Sequence, residues 1–410
     1  MNDVINNLAG EEEQCICEEQ GARAAGVWLT RTHPLITRSR PEFFRVGLSL
    51  SVLLLLLLLL LLLTGSLLSA PRASSSGCSS ATFFLFPLNK SFTTSKMATV
   101  KASGNFNASA DAEVLHKAMK GLGTDEDAIV QLLTARSNAQ RQEIKATYKT
   151  LFGKDLVSDL KGELGGKFET LIVGLMTAPI AYDVTSLRNA IKGAGTDEKV
   201  LVEILASRTA HQVKAISAAY RQEYDDDLEE DVSGDTSGHF KRLLVILLQA
   251  NRQKGIQQGE IENDAQALFK AGEHKFGTDE QSFVTILGNR SAEHLRKVFD
   301  AYMKLSGYEM EESIQRETSG GLRDLLLAVV KCARSVPTYF AETLYYAMKG
   351  AGTDDNTLIR VMVSRCEVDM LDIRSEFRRL FACSLYSMIK GDTGGDLRKA
   401  LLVLCGGEDA

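Results

Sequence analysis

Four copies of a glycine turn, each followed at one fixed distance by a carboxylate, constrain this chain more than any other feature. The turns read Gly121-Leu-Gly-Thr-Asp125, Gly193-Ala-Gly-Thr-Asp197, Lys275-Phe-Gly-Thr-Asp279 and Gly350-Ala-Gly-Thr-Asp354. Forty residues beyond the shared glycine (Gly123, Gly195, Gly277, Gly352) stand Glu163, Asp235, Glu317 and Asp392. Thirteen residues beyond it stand Arg136, Arg208, Arg290 and Arg365, and 43 beyond it Gly166, Gly238, Gly320 and Gly395. The copies begin 72, 82 and 75 residues apart, so the offsets hold while the spacers drift. A turn and a lone acid kept at constant separation four times implies that the two ends meet in space around a ligand.

The units divide as 111–179, 180–251, 263–335 and 338–410, preceded by a short arm, 97–110. Repetition at this period predicts stacked helical units that share their hydrophobic faces. Of six prolines, only Pro179 and Pro337 fall within the repeats, near junctions between units. The long stretches rich in Leu, Ala, Lys, Glu and Arg favour helix, so the fold class reads as all-α. A formal net charge of −6 argues against nucleic acid, which calls for a basic face. It also runs against docking on an anionic membrane unless a cation mediates. There is no H-E-x-x-H, no G-x-S-x-G and no phosphate-binding glycine loop, so the chain reads as a binding protein and not an enzyme. Cys332, Cys366, Cys383 and Cys405 lie in the repeats without C-x-x-C spacing, which reads as buried thiols in a reduced compartment.

Residues 1–96 share nothing with the repeats. Eleven consecutive leucines, Leu53 to Leu63, lie in a charge-free stretch, 46–70, long enough to span a bilayer. Arg31, Arg38, Arg40 and Arg45 precede it, which would leave the repeats outside the cytosol if the span is real. A late signal sequence is a second reading. A third is that the extension is no part of the working protein, since Met97-Ala-Thr-Val opens a segment that runs directly into the first repeat. All three stand open.

The second unit shows the local logic. Val184, Leu187, Ala190 and Ile191 recur at helical spacing, and Gly193-Ala-Gly195 then breaks the helix. Thr196 reads as an N-cap, with Asp197 and Glu198 in the first turn of the next helix. A second turn, Gly234-Asp-Thr-Ser-Gly238, opens a last apolar helix, giving about five helices per unit. The repeated arginines each follow an apolar stripe and read as buried-edge residues that satisfy carbonyls or a carboxylate between units.

A glycine turn exposes neutral, hard carbonyl oxygens, and the distant carboxylate adds two more oxygens with a negative charge. Such a set suits Ca²⁺, with six to eight oxygen ligands, and not zinc, which prefers nitrogen and sulfur. One carboxylate per site leaves the ion positive and its shell incomplete, so an external phosphate fits. The turn tips, Leu122, Ala194, Phe276 and Ala351, are apolar, and Lys120, Lys192, Lys275 and Lys349 stand beside them. Apolar tips flanked by lysines suit the headgroup boundary of an anionic bilayer.

These motifs resemble the annexin family. The residues that carry the resemblance are Met119-Lys-Gly-Leu-Gly-Thr-Asp125, Ile191-Lys-Gly-Ala-Gly-Thr-Asp197 and Met348-Lys-Gly-Ala-Gly-Thr-Asp354. Gly234-Asp-Thr-Ser-Gly238 and Arg316-Glu-Thr-Ser-Gly320 are their second-loop partners, and the likeness covers 97–410. It implies four five-helix repeats in a curved disc, with several Ca²⁺ per chain on the convex face. The implied ligands are the carbonyls of Met119, Gly121 and Gly123 with Glu163; of Ile191, Gly193 and Gly195 with Asp235; and of Met348, Gly350 and Gly352 with Asp392. The third loop, Gly272-Glu-His-Lys-Phe-Gly277, carries an insertion, and there Gly272, Lys275 and Gly277 are the implied carbonyl donors with Glu317. The subfamily that the chain most resembles has tryptophan where Phe276 stands. The family also lines a polar channel with acids and arginines; Asp183 and Arg208 match it, whereas Ser186 replaces a glutamate.

The resulting expectation is calcium-dependent binding of anionic, phosphatidylserine-type membranes by a protein that is cytoplasmic until calcium rises, then peripheral on the bilayer. Lateral homo-oligomers on the membrane accord with it, and a transmembrane or secreted form would follow if 46–70 is real. The alternative is a helical scaffold for protein partners in which calcium only braces the loops. Chelator-reversible pelleting with vesicles separates the two.

Overall fold

The computed structural model describes residues 97–408 except Leu122, Ala194 and 273–277. The leucine run and the tip residues Leu122, Ala194 and Phe276, with Lys275 and Gly277, therefore lie outside the described residues. Among the described residues there are twenty α-helices, one 3₁₀ turn and no strand. None of these helices is long and apolar enough to cross a membrane.

Each unit contributes five helices. The first has α1 Ala108–Ala118, α2 Glu126–Thr134, α3 Asn138–Phe152, α4 Leu156–Glu163 and α5 Gly166–Met176. The second has α6 Pro179–Ile191, α7 Glu198–Ser207, α8 Ala210–Tyr224, α9 Leu228–Asp235 and α10 Gly238–Gln249. The third has α11 Ile261–Ala271, α12 Glu280–Asn289, α13 Ala292–Ser306, α14 Met310–Glu317 and α15 Gly320–Arg334. The fourth has α16 Val336–Met348, α17 Asp355–Arg365, α18 Met370–Phe381, α19 Leu385–Asp392 and α20 Gly395–Cys405. Pro179 and Pro337 sit in the first turns of α6 and α16, where a missing N–H leaves no bond unmade. Capping boxes of Ser137 with Gln140 and Thr209 with Gln212 start α3 and α8. Left-handed residues end the third helix of every unit: Gly153, Asp225, Gly307 and Ala382.

The hydrophobic interior departs from simple stacking of neighbours. One buried cluster runs from Val184 to Ala333 and belongs to the second and third units. The other joins Val100 of the arm and Ala112–Met176 of the first unit to Phe340–Cys405 of the fourth. Chain ends, not consecutive repeats, thus share the second core. The arm reinforces that seam. The amides of Thr99 and Val100 donate to the Cys366 carbonyl at 2.9 and 3.0 Å, and the Thr99 hydroxyl donates to the Leu404 carbonyl at 2.6 Å. On the first unit, Ser103 and Gln140 exchange two hydrogen bonds of 2.9 Å. Between the cores lie buried charges: Arg360 of α17 donates to Glu203 of α7, and Arg208 grips Asp183.

All four repeat thiols are free, but only Cys366 and Cys405 are buried. Cys332 is half-buried and Cys383 is exposed, because it falls in the turn between α18 and α19 and not on a helix face.

Candidate metal-binding loops

The glycine turns stand between the first and second helices of each unit. Gly121 and Gly123 have φ of 127° and 90°, Gly193 and Gly195 126° and 102°, and Gly350 and Gly352 118° and 109°. Only glycine takes these values without strain, so the paired glycines are required by the turn itself. Each loop is closed by one backbone bond. The amides of Asp125, Asp197 and Asp354 donate to the carbonyls of Ala118, Ala190 and Ala347, seven residues back, at 2.9, 2.8 and 2.7 Å. In the third unit the bond runs eight residues, from Asp279 to Ala271, at 2.9 Å. The extra residue is the insertion visible in the sequence.

The aspartate of each turn, not the threonine, occupies the N-cap position of the second helix. This corrects the expectation for Thr196 and frees the threonine side chain for another partner. That partner is the distant acid. The Thr124 hydroxyl donates to Glu163 Oε2 at 2.9 Å, Thr196 to Asp235 Oδ2 at 3.3 Å and Thr278 to Glu317 Oε2 at 2.8 Å. Thr353 makes the same short bond to Asp392. In units two to four the same hydroxyl also reaches the acid's own backbone carbonyl, at 3.2, 2.9 and 3.1 Å. The two ends of the 40-residue offset therefore do meet, through a residue type that sequence reasoning assigned elsewhere. Its signal was present: threonine recurs in all four turns, 39 residues before the acid.

Each acid is the last residue of its helix, α4, α9, α14 or α19. The helix dipole places partial negative charge there, so a carboxylate at that end is disfavoured by roughly 0.3–1 kcal/mol and favours a nearby cation. Among the described residues the acids have a hydroxyl partner and no cationic one. Glu163 and Asp235 are exposed, and Glu317 and Asp392 are half-buried. In the third unit, Gly272 packs against Glu317: a Cβ there would lie 3.4 Å from Glu317 Cγ. No group of three or more His, Cys, Asp or Glu side chains converges among the described residues. The backbone carbonyl oxygens of a glycine turn are hard donors of the kind that Ca²⁺ takes.

The turn that follows each acid has its own glycine requirement. Gly166, Gly238, Gly320 and Gly395 open the fifth helices with φ of 61°, 61°, 61° and 59°. This explains the 43-residue offset as a backbone demand.

Contacts beside the loops place all four on one face. Lys399 Nζ lies 2.7 Å from Asp127 Oδ1, and Lys167 Nζ lies 2.7 Å from Asn356 Oδ1, joining the first and fourth units. Lys199 approaches Asp354 at 3.8 Å, joining the second and fourth. Arg242 donates to Gln281, joining the second and third. Ala351 is exposed at the fourth tip, while Lys349 leans back, its ammonium 5.4 Å from the Tyr345 ring centroid.

The repeated arginines act within units. Arg136, Arg208 and Arg290 grip Asp111, Asp183 and Asp264 on the first helix of their own unit, with both bonds between 2.6 and 2.9 Å. The expected inter-unit role is corrected for these three. In the fourth unit the equivalent position is Phe340; Arg365 lies over its ring at 4.7 Å and pairs with Asp369 instead. Ser186 turns its hydroxyl into its own helix, onto the Tyr182 carbonyl at 2.7 Å.

Four five-helix units, each carrying a glycine loop locked to a distant acid on a common face, define an annexin. The annexin family model matches residues 110–175, 182–247, 263–329 and 339–404, and the chain belongs to that family. Annexin A5 of Macaca fascicularis is 66% identical over 313 residues, covering 76% of this chain and 98% of the relative. Annexin A5 of Gallus gallus is 65% identical over the same length and coverage. The solved structure of chicken annexin V has a TM-score of 0.73 at 64% identity, covering 76% of this chain and 99% of that one. Calcium-bound annexin (Sm)1 has a TM-score of 0.66 at 34% identity, covering 75% and 93%.

Proposed function

We propose that each unit holds a Ca²⁺ ion between its loop carbonyls and its distant acid, and that the ions bridge the protein to anionic phospholipid. Family membership supports calcium-dependent phospholipid binding in general. The finer reading assigns Met119, Gly121, Gly123 and Glu163 to the first ion, and Ile191, Gly193, Gly195 and Asp235 to the second. It assigns Gly272, Lys275, Gly277 and Glu317 to the third, and Met348, Gly350, Gly352 and Asp392 to the fourth. The observation that carries it is the hydroxyl–carboxylate contact made in every unit beside a glycine turn.

One carboxylate leaves each ion with net positive charge and open coordination positions, which phosphate and carboxylate oxygens of a phosphatidylserine-type headgroup fill. Loops on a common face let several ions engage one flat bilayer, and bound cations let a chain of charge −6 approach a negative surface. Leu122, Ala194, Phe276 and Ala351 then contact the headgroup boundary, and copies gathered on one surface associate laterally. The chain is recruited from solution when calcium rises and acts as a binder, not a catalyst.

Pelleting with phosphatidylserine-containing vesicles tests this. Calcium should bring the protein down and chelator should release it. Glu163→Gln, Asp235→Asn, Glu317→Gln and Asp392→Asn combined should abolish pelleting at every physiological calcium level. Pelleting unchanged by all four substitutions refutes the reading.

A further inference from the structure

We propose that Thr124, Thr196, Thr278 and Thr353 are positioning residues for calcium: each hydroxyl pre-orients the acid of its unit for the incoming ion. The inference rests on the calcium reading above. Each hydroxyl binds one oxygen of its acid and leaves the second without a partner among the described residues. The threonine backbone is itself held, because the next residue's amide closes the loop onto an alanine carbonyl. The acid is thereby tied to the glycine turn whose carbonyls share its ion.

The choice of a hydroxyl is chemically apt. A lysine or arginine at this place would orient the acid equally well but would neutralise it and exclude a cation. A hydroxyl donates one hydrogen bond and leaves the negative charge whole. In units two to four the same hydroxyl proton is shared with the acid's own backbone carbonyl, which also ties the threonine to the end of that helix. Fixing the carboxylate before the ion arrives removes an ordering cost from binding.

The opposite role has the opposite sign. A hydroxyl that merely occupies the acid in the metal-free state competes with calcium, and its removal tightens binding. The fourth unit can be read alone in the full chain carrying Glu163→Gln, Asp235→Asn and Glu317→Gln. In that background Thr353→Val and Thr353→Ser are compared by the calcium concentration giving half-maximal pelleting with phosphatidylserine/phosphatidylcholine vesicles. The expected result is a roughly tenfold rise for valine and recovery to within about twofold for serine, the size of one hydrogen bond to a charged group. Melting in chelator controls for folding, and Thr278→Val, read with only Glu317 intact, repeats the test in a second unit.

Tighter binding by the valine variants, or unchanged half-maximal calcium in both units, overturns the inference. So does a loss that serine fails to restore. If the wild-type chain needs no calcium, or the combined acid variant still pellets, the calcium reading falls and this inference falls with it. If wild type passes both checks while the threonine variants bind unchanged, this inference alone fails.

Discussion

Replacing Glu203 with glutamine should destabilise the fold as severely as a core truncation, although Glu203 lies outside every loop. It sits on α7 of the second unit and pairs with Arg360 on α17 of the fourth, between the two apolar cores. Nε and Nη2 of Arg360 lie 3.0 and 2.7 Å from one Glu203 oxygen, and the Glu203 and Arg360 side chains are 3% and 8% exposed. The other Glu203 oxygen has no partner among the described residues. Removing one member leaves the guanidinium buried without its counter-charge, which costs about 3–5 kcal/mol. Unfolding entropy of about 2.1 cal/mol/K per residue over roughly 310 residues gives about 0.65 kcal/mol/K, so the melting midpoint should fall by about 5–8 °C. The double variant Glu203→Leu with Arg360→Met removes both desolvation penalties and should be neutral or more stable by about 1–4 kcal/mol. Denaturant unfolding of wild type, Glu203→Leu, Arg360→Met and the double, all in chelator, completes a mutant cycle. Single variants losing under about 1 kcal/mol, or a double variant as unstable as the sum of the singles, would refute the reasoning.

Other outcomes follow from the same geometry. Gly238→Ala should cost about 1–2 kcal/mol in denaturant unfolding purely through φ of 61°, since no atom lies within 4 Å of the added methyl. Burial pushes the Cys366 thiol up to about 12 and the Cys405 thiol up to about 11. At pH 8 a thiol at 12 is thiolate in only about one molecule in 10,000, so native iodoacetamide labelling read by peptide mass should mark Cys383 and spare Cys366 and Cys405 until unfolding. The Ser158 amide holds the Asp155 carboxyl below its ordinary pKa, so its cap contributes above about pH 4 and is lost as acid titrates it. Asp155→Ala should therefore cost about 1 kcal/mol at pH 7, with the gap from wild type closing only below about pH 4. Thr99→Val should loosen the arm by about 1 kcal/mol, read as faster amide exchange at Val100.

The helical class, the glycine turns and the acids that converge on them were legible because constant offsets across four copies report contact directly. The threonine contact was not, for a local reason: in Thr-Asp either residue makes a good N-cap, and nothing within one unit says which begins the helix. The arginine partners were hidden by unequal spacing. Asp111 and Asp183 precede their arginines by 25 residues, Asp264 by 26, and at the same distance before Arg365 stands Phe340. Pairing of the first and fourth units was invisible because all four apolar faces look alike, and repeats with interchangeable faces do not encode which neighbour each meets. The exposure of Cys383 was missed because burial is a residue-type tendency, whereas a turn position overrides it.

The division into two cores bears on how the chain is made. The second and third units complete each other while the fourth is still being synthesised. The first unit has no such partner: its buried apolar residues, from Ala112 to Met176, share their core with residues of the fourth unit up to Cys405. At about 5–20 residues per second, the roughly 230 residues between Met176 and Cys405 take about 10–50 s to appear. Throughout that interval the earliest-made repeat waits with its face open on the ribosome, while a later pair folds ahead of it. Nascent chains stalled after the third unit should thus be protease-resistant over 180–335 and still cleavable before 176.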